Sequence, residues 1–191
     1  MPALLRLSDR LAAVVTLAGK AAGWLAVAMM VVIVFDVVGR RFFHTGSTML
    51  QDLEWHLHGA MFLLAFGFAY LRDAHVRIEL LRERWRARPR AWIEIAGIVL
   101  FLLPYCGIVI WFGYDFAERA FVRNEGSMGG MGLPHRWIIK SMLPVGFAVM
   151  ALAGISVLLR LVAVLADRDA DGRGRAYLMQ EPGVHDDEAT T

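Results

Sequence analysis

Apolar residues along this chain gather into long blocks instead of alternating with polar ones. Four windows are nearly free of charge. Ala21 to Phe35 carries none, with only Lys20 and Asp36 nearby before Arg40; Trp55 to Leu71 carries none if His56 and His58 are neutral. Ile95 to Tyr114 gives 20 uncharged residues and Ser141 to Leu159 gives 19. A helix needs roughly 20 residues, and no fewer than about 17, to cross about 30 Å of hydrocarbon. The second window stands at that limit. Backbone amides must be paired inside lipid, so each block is a helix or a barrel strand, and continuous runs lack the alternation of strands. The pattern predicts an all-α integral membrane protein with four transmembrane helices, at about 21–40, 53–71, 93–114 and 138–160. Residues 1–166 form the membrane domain. The charged, apolar-poor stretch 167–191 reads as a mobile cytoplasmic tail.

Two amphipathic stretches flank the spans. Leu4, Leu7, Leu11 and Val14 share a face at helical spacing, with Ser8 as a cap, which predicts a helix at the membrane surface. Ile78, Leu81 and Trp85 form a similar stripe among arginines that would face anionic lipid. Ala26-Val27-Ala28 has the form of a cleavage site, but the apolar run continues to Phe35, so an uncleaved signal anchor is the reading. Asn124 to Gly132 is glycine-rich and reads as a periplasmic loop, within a longer loop from Asp115 to Arg136. No internal repeat is visible.

Composition agrees: 58% of the 191 residues are hydrophobic, and the mean hydropathy is +0.51. The single cysteine, Cys106, excludes an internal disulfide. Net charge is only +2, yet its distribution is lopsided. Of the 20 Lys and Arg residues, 14 fall on the side shared by the N-terminus, the second loop and the C-terminal tail; seven are the arginines from Arg72 to Arg90. The other six are Arg40, Arg41, Arg119, Arg123, Arg136 and Lys140. The positive-inside rule then predicts both termini in the cytoplasm. Membrane topology accounts for the arginine run better than a nucleic-acid patch does.

Candidate chemistry is sparse. Lys20, Asp36, Glu94, Lys140 and Arg160 can each sit at a membrane boundary, so no span carries an isolated mid-membrane charge of the kind that marks a transport pathway. Asp36 and Arg40, four apart, are placed to pair along one helix face. His56 and His58 diverge by about 200° on a helix, which argues against a metal or haem pair. No phosphate loop or nucleophile cluster appears, so no catalytic, metal or cofactor site is predicted and the chain does not hydrolyse ATP. Gly59 and Gly67 share one face of the second span, as do Gly146 and Gly154 of the fourth, which predicts close helix packing. Pro104, Gly107 and Pro144 read as kinks, and Trp55, Trp85, Trp92, Trp111 and Trp137 as interfacial anchors.

Particular segments then become familiar. Val37-Val38-Gly39-Arg40-Arg41-Phe42-Phe43-His44 resembles the end of the first span in the small membrane subunits of tripartite ATP-independent periplasmic (TRAP) transporters, the DctQ-like family. Arg40 and Phe43 match that family's pattern; Arg41 stands where tyrosine is usual and His44 where asparagine is. Gln51-Asp52-Leu53-Glu54-Trp55-His56-Leu57 is similar to the acidic pair that opens the family's second span, in the variant associated with mannitol or chloroaromatic compounds. Arg72-Asp73-Ala74-His75-Val76-Arg77-Ile78 resembles its end. Gly132-Leu133-Pro134-His135-Arg136-Trp137-Ile138-Ile139-Lys140, continuing to Pro144-Val145-Gly146-Phe147, resembles the approach to the fourth span. The likeness runs from about residue 8 to 165.

The resemblance implies a small non-catalytic scaffold beside a large permease subunit, which moves the solute, and a periplasmic solute-binding protein, which captures it. Asp36, Arg40, Asp52, Glu54 and Trp55 are then the expected partner interface, with Asp36, Arg40, Arg41, Asp52 and Glu54 gathered at one boundary. The alternatives are a four-helix redox protein holding haem or quinone, and a stand-alone oligomeric exporter or channel.

Overall fold

The structure, a computed structural model, describes residues 2–44, 46–72, 87–127 and 132–166. Every regular element among them is helical: α1 (Pro2–Phe43), α2 (Thr48–Leu71), α3 (Ala87–Gly97), a π turn (Ile98–Leu102), α4 (Leu103–Val122) and α5 (Trp137–Leu165). The stripe Ile78, Leu81 and Trp85, most of the segment after Arg72, and the tail 167–191 lie outside the described residues.

The first helix differs from expectation. It runs unbroken for 42 residues, about 63 Å, so there is no separate surface helix and Ser8 lies within it rather than capping it. The segment Leu11 to Lys20 contains no proline, and its one glycine, Gly19, is covered by the Phe68 ring of α2. Nothing stops the helix there. Its buried positions are Ser8, Val15, Ala22 and Asp36, multiples of seven apart, the spacing of a left-handed helix-packing seam. Leu7 and Val14, on the face read from sequence, are about half exposed. The helix ends at His44, whose φ of 54° is left-handed. Histidine shares with asparagine a tolerance for that region.

Ser47 caps α2 by accepting from Leu50 N–H at 3.4 Å, so this helix starts earlier than residue 53. The third rod also exceeds its expected span. α3, the π turn and α4 join through residues that all have right-handed helical angles. Pro104 lacks an N–H and crowds the carbonyl four residues back, which accounts for the widened turn ahead of it. Beyond Tyr114 the sequence Asp115 to Val122 holds no breaker and stays helical, which corrects the loop expected from Asp115. The helix stops in a Schellman closure, where Glu125 N–H reaches Ala120 O and Asn124 N–H reaches Phe121 O, both at 3.0 Å. Asn124 takes the left-handed position with φ 46°.

α5 is the centre of the bundle and packs on α1, α2 and α4. Its most apolar stretch is 39% buried, against 11% for α1 and for the α3–α4 rod. The predicted glycine stripes lie at these contacts. A Cβ on Gly67 would sit 2.9 Å from Val149 O of α5, and one on Gly146 would sit 2.8 Å from Leu63 O of α2. Pro144 seats on Gly113 of α4, and Gly154 faces Leu102 and Ile98. Val15 joins Val149 and Ala153 in one core cluster, while Ala91, Ile98, Val157 and Leu161 form a second. Trp24, Phe35, Phe101 and Trp111 are at least 67% exposed, an apolar surface that water does not tolerate. α1, the α3–α4 rod and α5 are each long and apolar enough to cross a membrane. This is an all-α membrane protein.

Candidate functional site

Polar side chains concentrate at the two ends of the bundle. At the end bearing the chain terminus of α1, Ser8 and Ser156 are fully buried and grip each other. Ser8 Oγ–H donates to Ser156 O at 2.9 Å, and Ser156 Oγ–H donates to Ser8 O at 3.0 Å. Arg160 Nε–H donates to Ser8 Oγ at 3.0 Å, and its guanidinium lies 3.5 Å from Asp9. Both hydroxyls and Arg160 Nε–H thus find acceptors across the α1–α5 seam. Unmet polar groups are costly where water is scarce, so this clasp fixes the register of the first and last helices.

The opposite end, with the α1–α2 turn and the α4–α5 loop, holds the residues singled out from sequence. Asp36 lies on the buried seam of α1, with 2% of its surface exposed. Arg40, one turn on, closes over it: Arg40 Nε–H and Nη2–H both donate to Asp36 Oδ2, the former at 2.8 Å. The guanidinium itself stays half exposed. Asp36 Oδ1 is buried and has no hydrogen-bond partner among the described residues. Glu54 of α2 lies close enough to act on Arg40 by charge. Trp55 is 70% exposed and points away from the bundle.

Asp52 does something different. Its carboxylate accepts from Leu133 N–H at 3.1 Å and from Ser127, both in the α4–α5 loop. The Ser127 bond, then the Leu133 N–H, hold this carboxyl below its ordinary pKa against partial desolvation. It stands just ahead of the apolar stretch of α2. Gly132 is glycine for a local reason, since any Cβ there would collide with Asp52 Oδ2 and Ser127. The loop is closed by Ser127 N–H to Leu133 O at 3.2 Å and Arg136 N–H to Glu125 O at 3.0 Å. Lys140 Nζ donates to Glu125 Oε2 at 2.6 Å, which lowers the Glu125 pKa, with Arg136 and Arg123 adding to the effect. The same ammonium lies 4.0 Å over the Phe116 ring.

The expected cluster is therefore divided. Asp36, Arg40 and Glu54 come together between α1 and α2; Asp52 turns to the loop instead. Sequence reading gave Ser8 a capping role and missed its clasp with Ser156, and it missed Ser127, the constraint on Gly132 and the Glu125–Lys140 pair. The serines join residues 148 apart and Asp52 meets Leu133 across 81, so no local spacing announced them. Glu125 and Lys140, 15 apart, were opposite charges on either side of a glycine-rich loop, a signal that could have been used. Chemically, these groups bind one another and the backbone, the pattern of a device that fixes helix geometry.

Among curated proteins, no relative matches the chain. A family model described as the DctQ component of the tripartite ATP-independent periplasmic transporters matches residues 29–164, from mid-α1 to the last turn of α5. That stretch contains Asp36, Arg40, Asp52, the α4–α5 loop and the glycine contacts between α2 and α5. With 136 of 191 residues covered, this membrane protein belongs to the DctQ family of TRAP transporter components.

Proposed function

We propose that this chain is the small, non-catalytic scaffold subunit of a TRAP-type secondary transporter in a bacterial inner membrane. It would serve the import of an organic acid or related solute, together with a large permease subunit and a periplasmic solute-binding protein. The family match over residues 29–164 carries this reading. The bundle is a rigid object: backbone-tight glycine contacts join α2 to α5, and polar clasps bind both ends. A moving transport domain needs a fixed counterpart of that kind. In this reading α2 is the fourth span, the 14-to-6 asymmetry of basic residues sets both termini in the cytoplasm, and the α4–α5 loop is periplasmic.

Arg40, Glu54 and Trp55 are the proposed partner surface. Asp36 holds Arg40 from its buried side, and Asp52 holds the adjoining loop in place. The test is co-expression with a large permease subunit and a solute-binding protein encoded beside it, with pull-down and proteoliposome uptake read together. Uptake that needs this chain, in a complex that retains it, supports the scaffold role. Full uptake by the large subunit alone defeats it.

A further inference from the structure

At the end of the bundle where α1 begins, α2 stops short of its neighbours. Gly67 of α2 meets Val149 of α5, which sets the two helices level there. From that level α2 stays free of charge for four more residues, to Leu71, and α5 for ten, to Leu159. The step between the two ends is about 9 Å. The uncharged stretch Trp55 to Leu71 is itself short, 17 residues or about 25 Å, against a hydrocarbon core of roughly 30 Å. A short span is met by a locally thinned bilayer and by basic side chains that reach for the headgroups. Headgroups therefore come further in beside α2 than beside α5, where Arg160 and Asp9 mark the boundary.

Two cations stand at this step. The Arg72 guanidinium lies 5.3 Å from the centroid of the Phe68 ring, and the same ring covers Gly19 of α1. Lys20 follows Gly19. Both Arg72 and Lys20 are exposed, and neither has a carboxylate partner among the described residues; Asp9, the acid on this half of α1, pairs with Arg160. A helical side chain leans towards the start of its own helix, which carries the Lys20 ammonium towards the level of Arg72. In the other direction the outer face of α1 is apolar. Trp24, Val27 and Val31 follow Lys20 at helical spacing and are each at least half exposed. From Lys20 to Val31 is 11 residues, about 16 Å, the depth of a single leaflet.

We propose that the end of α2 and the adjoining face of α1 bind one anionic phospholipid, of the phosphatidylglycerol type, from the leaflet at this end of the bundle. Lys20 and Arg72 hold the phosphate, which a guanidinium meets with two N–H donors at once. An acyl chain lies along Trp24, Val27 and Val31. Two cations without a carboxylate select a headgroup of net negative charge, and they repel the ammonium of choline. The proposal rests on α2 as a span, part of the reading above, and not on the large permease subunit.

The full chain is purified, stripped of lipid and given phosphatidylglycerol or phosphatidylcholine with identical acyl chains, and retained lipid is read by native mass spectrometry. The wild type is expected to favour phosphatidylglycerol roughly twenty-fold, about fivefold from each basic side chain. Lys20→Gln and Arg72→Gln should each lose one such factor, and Lys20→Arg should keep it. Arg6→Gln, exposed on the same helix but about 21 Å from Lys20, should leave the preference unchanged. Equal retention of the two lipids by the wild type overturns the proposal, as does an equal fall in Arg6→Gln, which would mark a diffuse effect of charge. Displacement of the lipid by millimolar inorganic phosphate would make this a simple anion site and overturn the lipid assignment. Reporters fused at Gly46 and near Glu83 that read on one side would defeat the crossing of α2 and the proposal with it, whereas the lipid results by themselves defeat only the proposal.

Discussion

The contact between α2 and α5 makes the most demanding quantitative prediction. Gly67 and Gly146 are reciprocal: each helix sets a glycine against the other's backbone. In Gly67→Ala the new Cβ would lie 2.9 Å from Val149 O and 3.0 Å from Val149 C. These are backbone atoms, so no rotamer change relieves the contact and the helices must part by a few tenths of an ångström. Separation of about 0.5–1 Å forfeits a quarter to a half of the dispersion attraction for atoms along the seam, and overpacking of this kind costs about 1–3 kcal/mol. Alanine also gains helix propensity over glycine, up to about 1 kcal/mol. Gly107→Ala isolates that term, because nothing lies within 4 Å of its Cβ position. Cys106, the chain's one cysteine and 1% exposed, is a built-in reporter, since a thiol-reactive fluorophore labels it on unfolding. In detergent, Gly67→Ala and Gly146→Ala should each melt below Gly107→Ala, by roughly 2–4 °C for every kcal/mol. The double variant should cost less than the sum, because both substitutions push apart the same interface. Identical transitions for Gly67→Ala and Gly107→Ala would refute the tight contact.

The same assay checks the serine clasp: Ser156→Ala should cost about 0.6–1.7 kcal/mol, the range for hydrogen bonds between membrane helices. Ser141→Ala, which loses only a bond to Trp137 O in its own helix, should be near neutral. The loop tie depends on pH. Asp52 and Glu125 have folded-state pKa values below their ordinary ones, so their contribution is complete above the usual carboxylate range and is lost as pH falls through the lower folded values. The protection of Leu133 N–H, the slowing of its exchange relative to an unstructured amide at the same pH, should fall on acidification in the wild type and be low at all pH values in Asp52→Asn. Reporter fusions after residue 10, near Glu83, near Gly126 and at the C-terminus should read cytoplasmic, cytoplasmic, periplasmic and cytoplasmic; a periplasmic signal near Glu83 would overturn the topology. Arg40→Ala should weaken pull-down of the large subunit and uptake more than Arg123→Ala, at matched expression, and equal effects would remove Arg40 from the interface.

What the sequence revealed and what it hid divide along physical lines. Block hydropathy located three helices long and apolar enough to span, α1, the α3–α4 rod and α5, because membrane length is a local constraint. The i, i+4 spacing found the Asp36–Arg40 pair because both partners stand on one helix. Hydropathy placed helix ends poorly. It falls at Lys20 and after Tyr114, but helices stop only where a cap or breaker stops them. Hence α1 runs back to Pro2 and α4 runs on to the Schellman closure at Asn124. The Ser8–Ser156 clasp depends on which faces of α1 and α5 meet, a fact of tertiary packing that neither segment states.

The division of the acidic pair shows how much more the helical repeat contained. Residues two apart on a helix diverge by about 200°, the geometry that argues against His56 and His58 as a metal pair. It applies equally to Asp52 and Glu54, which cannot both face α1. On α2, Asp52 continues through Gly59, Leu63 and Gly67, and that stripe meets α5 and the loop before it: Leu133 at Asp52, Ile139 at Gly59, Gly146 at Leu63 and Val149 at Gly67. The offset stays near 80 residues throughout, as parallel neighbours require. Glu54 lies on the other side, towards Phe68 and α1, where Gly19 lies under the Phe68 ring and Arg40 feels the Glu54 charge. The two acids therefore have separate duties. Asp52 binds α2 to the chain that leads into α5, while Glu54, with Arg40 and Trp55, remains at the surface. A partner that reads this end of the bundle meets Arg40, Glu54 and Trp55 directly and Asp52 only through the loop it holds.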